Sequence, residues 1–258
     1  MSVAPGDRAA QAAALNLSFP SLDPAARLSA LRAASPGRIV FTSSFGLEDQ
    51  ALTHLIAQSG LDIEFVTLDT GRLFPDAYDV WASTEQRYGV KIKAFYPRRV
   101  ALEDWVSEHG INGFRDSSAN RHACCGLRKI EPLARALAGA DVWITGLRAD
   151  QSQNRAGMDY VSFDAARGLI KANPLLDWSR QRAVNFAGSN DVPINALHAQ
   201  GFLSIGCAPC TRAIAPGEDE RAGRWWWEQS AQTNDKECGL HVDADGKLAR
   251  ASGDQAVL

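Results

Sequence analysis

The sequence predicts an α/β fold, a mostly parallel sheet with helices on both faces, and three observations carry that prediction. Short apolar runs alternate with longer amphipathic segments over residues 39–145, the pattern of a βαβ series. Apolar residues make up 45% and charged residues 22% of the chain, a balance that excludes wholesale disorder and collagen-like or coiled-coil architectures. At 258 residues the chain is about 1.7 typical domains long and can bury a sizeable core without disulfide staples. No repeat, low-complexity tract or clear linker divides it.

Residues 1–22 read as a loosely ordered lead-in. Asp23 and Pro24 then open a helix to about Ala34, with an Asp cap and Pro in the first turn, and Ser35-Pro36-Gly37 stops it. Ile39-Val40-Phe41 is the first strand. A helix from Glu48 to Ser59, closed by Gly60, leads to a strand over Ile63 to Leu68. A helix from Pro75 to Tyr88, a strand from Val90 to Phe95, a helix from Cys125 to Leu137 and a buried strand from Val142 to Thr145 complete the alternation. Past residue 178 the pattern fades into Gly, Pro and charge, with Arg224-Trp225-Trp226-Trp227-Glu228 as the dense apolar cluster, read as a segment folding back over the active site. Ligands of such sheets sit where loops leave the carboxyl ends of the strands, here residues 42–47, 69–74 and 146–156.

Lys and Arg total 27 against 30 Asp and Glu, a net charge of −3, so no global field favours nucleic acid or an anionic membrane. The N-terminus lacks the basic cluster and long apolar run of a signal peptide or membrane span, and a cytoplasmic location is expected. Five cysteines in a reducing compartment read as metal binding or catalysis before disulfides.

Thr42 to Asp49 lies between a strand and a helix, where Ser43, Ser44 and the amides around Phe45 and Gly46 suit a phosphate or sulfate; an ordinary Ser-capped turn fits the same residues. Asp69 and Thr70, in Leu68 to Pro75, suit a ribose or base edge, and a plain turn as well. Adjacent Cys124 and Cys125 together with Cys207-Ala208-Pro209-Cys210 would give four sulfur ligands for one site. Spacing does not choose between an iron–sulfur cluster and zinc. Lys129 lies four residues after Cys125, one helical turn on. Cys238, with His241 three residues later, has the makings of an activated nucleophile or is an inert tail cysteine. Arg148, Arg155, Arg212, Arg221 and Arg224 offer planar guanidinium groups for an oxyanion; Arg221 and Arg224 share a face if that stretch is helical.

In this order the pieces resemble the assimilatory adenylyl-sulfate (APS) reductases of the wider APS/PAPS reductase family, in its iron–sulfur branch. The matching pieces are Ser43 to Asp49, Leu68 to Arg72, Cys124 to Lys129, Gly146 to Ser152, Cys207 to Arg212, Arg221 to Glu228 and Glu237 to His241. The resemblance implies an adenine nucleotide alpha hydrolase-like fold over residues 38–241, with a catalytic segment at 211–241, a lead-in and helix at 1–37 and a tail at 242–258. It implies thioredoxin-dependent reduction of adenosine 5′-phosphosulfate to sulfite and AMP, with Cys238 forming an S-sulfocysteine and thioredoxin or glutaredoxin as reductant. It gives one [4Fe-4S] cluster to Cys124, Cys125, Cys207 and Cys210, with Lys129 tuning its electrostatics. Ser43 to Gly46 are expected on the phosphosulfate, Asp69 and Thr70 on the nucleotide, and Arg148, Arg155, Arg221, Arg224 and His241 on the anionic groups. A homo-oligomer is left open.

Because members of the family that use the 3′-phosphorylated form (PAPS) generally lack these cysteines, the resemblance implies APS as substrate, with a PAPS or dual-specificity reductase as the alternative. An ATP pyrophosphatase-type enzyme would carry a Ser-Gly-Gly-x-Asp-Ser loop where this chain has Ser44-Phe45-Gly46-Leu47-Glu48-Asp49. A non-catalytic zinc module would leave Cys238 and the arginines idle.

Overall fold

The computed structural model describes residues 5–228. Its helices are α1 (Pro5–Ser18), α2 (Pro24–Ala34), α3 (Leu47–Ser59), α4 (Pro75–Tyr88), α5 (Arg99–His109), α6 (Ser118–Cys125), α7 (Glu131–Leu137) and α8 (Arg180–Ser189). The strands are β1 (Ile39–Ser43), β2 (Glu64–Leu68), β3 (Ile92–Phe95), β4 (Val142–Ile144), β5 (Val161–Asp164) and β6 (Leu169–Ala172). They form one sheet in the order β3-β2-β1-β4-β6-β5, parallel throughout except for the β5–β6 pair. The chain builds outward from β1 through β2 to β3, then returns to place β4 on the other side of β1. That reversal opens a crevice beyond the carboxyl ends of β1 and β4, the position where open α/β sheets bind ligands.

Side-chain alternation along the strands divides the core into two layers. Ile39, Phe41, Phe65, Val142, Ile144 and Ile170 pack toward α1, α2, α3 and α8. Val40, Val66, Trp143 and Leu169 pack toward Leu133, Ala136 and Leu137 of α7. With both faces covered, the central strands read as continuous apolar runs.

The α/β class and the βαβ series hold, and three local expectations need correction. The presumed lead-in at 1–22 contains α1 and a 3₁₀ turn over Phe19–Ser21, with Ala12, Leu15 and Phe19 in the core. Asn16 explains the docking: its side-chain oxygen accepts from Val161 N at 3.0 Å and its amide reaches Asp159, so α1 is fastened along the edge strand β5. The single helix expected from Cys125 to Leu137 is instead α6, a π turn over Gly126–Ile130 and then α7. Pro132, in the first turn of α7, has no N–H for the carbonyl one turn back, and the backbone widens before it. The adjacent cysteines therefore end a helix rather than begin one, and Ser117, which accepts from Asn120 N, marks the true start. Beyond residue 178 the alternation does not simply fade, because Ser179 caps α8.

Candidate active site at the strand ends

A cleft of about 200 Å³ lies at the carboxyl ends of the central strands. Its floor is the loop after β1. Ser43 Oγ accepts from Phe45 N at 3.1 Å, and Ser44 donates to Asp49 Oδ2 from both its amide (2.6 Å) and its hydroxyl (2.7 Å). This double clamp bends the chain so that Phe45 takes φ 60°, with its ring stacked on Trp81 at 5.6 Å. Gly46 then caps α3, aiming the first-turn amides at the cleft. Burial, only partly offset by the Ser44 bonds, pushes the Asp49 carboxyl up to about 6. Gly146 has to be glycine, since a Cβ there would stand 2.2 Å from Asp49 Oδ1.

Thr70 lines the cleft and ties it to the cysteines, with its Oγ1 3.2 Å from Cys207 Sγ. Asp69 turns away: its carboxylate accepts from Gly71 N at 2.8 Å and from the Tyr78 hydroxyl at 3.0 Å. It shapes the turn and is absent from the cleft wall, contrary to the expectation of a nucleotide contact.

Four predicted cations, Lys129, Arg155, Arg221 and Arg224, line the cleft. Arg155 is steadied by Gln151. Arg221 and Arg224 lie on a turn closed by Arg224 N donating to Arg221 O, not on a helix, yet both reach the same wall. Arg148 does not. It is 0% exposed, and its guanidinium is spent on Glu48 (2.7 Å), Asp150 (3.2 Å) and both oxygens of Glu220 (3.0 and 2.8 Å). The expected anion contact is thus a buried tie between α3 and the segment carrying Arg221. Arg212 likewise faces Glu218 rather than the cleft.

Glu48, Glu220 and His198 also line the cleft, though none of them is among the site residues expected from the sequence. Burial raises the Glu220 carboxyl above its usual range, and burial lowers the His198 imidazole, whose Nδ1 donates to Phe202 O at 2.8 Å. Only the approach of distant chain segments reveals Glu220 and His198.

Cys124, Cys125, Cys207 and Cys210 share the wall of one adjoining cavity. Ala208 N donates to Arg72 O at 2.8 Å, which fastens the Cys207–Cys210 loop beside the loop after β2. Around the thiols stand Arg72, Arg121, Arg128, Lys129 and Arg224, with Phe114, Pro209 and Trp225 as the apolar lining. Burial raises Cys124, and burial together with Cys207 pushes Cys210 up to about 11. Burial acts the same way on Cys207, but Lys129, the Thr70 hydrogen bond, Arg224 and Arg128 outweigh it and its thiol is lowered. As the side chains stand, no group of three or more His, Cys, Asp or Glu among the described residues could hold a metal ion. Four soft donors in an apolar, cation-ringed cavity nevertheless have the chemistry an iron–sulfur cluster requires, since thiolates around iron leave negative charge to be offset. Cys238 and His241 lie outside the described residues. Among the described residues no helix is long and apolar enough to cross a membrane.

Residues 38–213 match the phosphoadenosine phosphosulfate reductase domain. The adenosine 5′-phosphosulfate reductase of Sinorhizobium fredii (strain NBRC 101917 / NGR234) is 52% identical over 233 residues, covering 90% of this chain and 91% of that protein. The adenosine 5′-phosphosulfate reductase of Agrobacterium fabrum is 47% identical over 242 residues, covering 94% of this chain and 92% of that one. Among solved structures, the phosphoadenylyl-sulfate reductase of Candida auris superposes with a TM-score of 0.69 at 24% identity, covering 83% of this chain and 99% of its own, a likeness of fold.

Proposed function

The chain belongs to the phosphoadenosine phosphosulfate reductase family, and from that premise we propose that it reduces adenosine 5′-phosphosulfate to sulfite and AMP with thioredoxin as electron donor. The observation that carries this reading is a shared wall: Lys129, Cys207, Arg224 and Trp225 line both the cleft and the cysteine cavity. A cationic cleft against a thiol centre suits an activated sulfate, and the similarity to reductases named for adenosine 5′-phosphosulfate favours that substrate.

In the proposed reaction the Cys238 thiolate attacks the sulfate sulfur. A sulfur–sulfur bond forms, the bond from sulfur to the bridging oxygen breaks, and AMP leaves with that electron pair. A thioredoxin thiolate then attacks the Cys238 sulfur of the S-sulfocysteine and expels sulfite, and the second thioredoxin thiol breaks the resulting mixed disulfide, regenerating Cys238 as thioredoxin closes to its disulfide. Lys129, Arg221 and Arg224 neutralise charge as it develops on the bridging and phosphate oxygens. The first-turn amides of α3, held by the Ser43 to Gly46 turn, take part of the same charge. His241 and Arg155 complete the anionic site. Cys124, Cys125, Cys207 and Cys210 would hold a [4Fe-4S] cluster, which when bound supplies local charge and order beside the cleft, the two electrons coming from thioredoxin.

The test is sulfite release with reduced thioredoxin, APS against PAPS. Turnover of APS with PAPS at least tenfold slower supports the reading. Preference for PAPS would transfer the assignment to the 3′-phosphorylated nucleotide, and sulfite from neither would refute it.

A further inference from the structure

Trp225 is the point at which the cleft, the cysteine cavity and three guanidinium groups meet. Its side chain is 1% exposed and its backbone takes φ 44°, the left-handed region that an indole-bearing residue occupies only when its surroundings hold it there. The guanidinium carbons of Arg121 and Arg224 each lie 4.7 Å from the ring centroid, and that of Arg221 lies 5.9 Å away. All three are within cation–π range of one indole.

Like charges so close repel unless something offsets them. Arg121 is paired with Glu228 at 2.6 Å. Arg224 has no carboxylate partner among the described residues, and its buried Nε has no hydrogen-bond acceptor. Space is made for it at Gly206, where a Cβ would stand 2.3 Å from its guanidinium. Arg221 and Arg224 stand together in the cleft wall, both within reach of the face of the indole. Trp225 also clusters with Cys125 and Cys210, and its amide donates to Cys210 O at 3.3 Å.

We propose that Trp225 is the positioning residue for the anionic end of the nucleotide, holding Arg221 and Arg224 in the cleft and, through Arg121, tying them to the cysteine-bearing helix α6. This rests on the proposed function, which places the phosphosulfate against those two arginines. It adds a physical route by which the state of the thiol centre reaches the substrate.

The test is AMP affinity by calorimetry on the iron-loaded enzyme, which requires no turnover. Trp225→Leu removes the aromatic face and should weaken AMP about tenfold, some 1.4 kcal/mol. Trp225→Phe, a smaller ring with a weaker face, should fall between the two, about two- to fivefold. In an Arg221→Met/Arg224→Met background the Leu substitution should add less than twofold, because the residue acts through those side chains. Unchanged affinity in Trp225→Phe and Trp225→Leu would overturn the proposal, as would a loss of the same size in the arginine-free background, the mark of a packing role. If Trp225→Leu loses its iron, Trp225→Phe in the two backgrounds decides the question alone. Failure of the unsubstituted enzyme to bind AMP would instead strike the proposed function.

Discussion

On the strand side of the cleft, polar groups are spent on one another. Asp49 holds Ser44, Asp69 holds Gly71 and Tyr78, and Glu48 holds Arg148. On the facing side, residues 204–228 contain little regular structure beyond a 3₁₀ turn at Ala208–Cys210 and a bridge between Thr211 and Arg224. There the cations converge on an indole, with Arg224 lacking a carboxylate partner among the described residues. The difference is one of labour: the strand side fixes shape, and the irregular side presents charge. Substitutions on the first should therefore cost stability, and those on the second should cost affinity or rate with the fold intact.

The largest effect is expected at Arg148. Replacement by Met strands the buried Glu48 and Glu220 carboxylates, and losing one partner of a buried ion pair costs about 3–5 kcal/mol. Chemical denaturation should show the midpoint falling sharply. A midpoint within error of the unsubstituted chain would break the contrast, since Arg148 would then belong with the charge-presenting groups.

Lys129→Ala comes next, at the wall that the cleft shares with the cysteine cavity. Sulfite release should fall about tenfold, equivalent to ~1.4 kcal/mol of barrier, while iron content and melting temperature hold. A large drop in melting temperature with the rate preserved would reverse its assignment.

The smallest effect is a pH dependence. Below about pH 6 Asp49 takes up a proton, and one acceptor oxygen of the Ser44 clamp becomes a donor. Nucleotide affinity should weaken a few-fold from pH 7 to 5, and Asp49→Asn should flatten that dependence by behaving as the protonated form throughout. For folding the sign is opposite. A carboxyl raised from 3.8 to about 6 favours the folded chain fully below about pH 4, an advantage lost as pH rises through 6. Acidification over that window should therefore not destabilise the protein through this group. An affinity profile unchanged by Asp49→Asn would remove the clamp from the binding account.

Much of this was legible in the sequence where the signal is local. Asp23-Pro24 marks the start of α2, Pro75 and Gly89 bound α4, and apolar runs mark β1 and β2. The cysteine pairs and four of the cleft cations could be chosen for their residue type. What escaped depends on contacts across the chain. α1 carries no strong local signal and is defined by its docking on β5. The β5–β6 hairpin is short, and its turn rests on Asp164 accepting from Arg167 N and on Gly168 at φ 67°. The π turn follows from Pro132 acting on the residues before it. The partners of Arg148 are not legible in the sequence, because an arginine beside a strand end looks alike whether it meets a ligand or two carboxylates that lie 100 and 72 residues away in the chain. Glu220 and His198 became visible only once the chain had closed around the cleft.

The central claim, transfer of a sulfonate to a cysteine, is tested most directly by mass spectrometry of the enzyme mixed with APS without reductant. The account predicts roughly 80 Da added at Cys238, one SO₃ group, removed again by reduced thioredoxin. An unmodified Cys238, or the same mass on one of the other four cysteines, would contradict it.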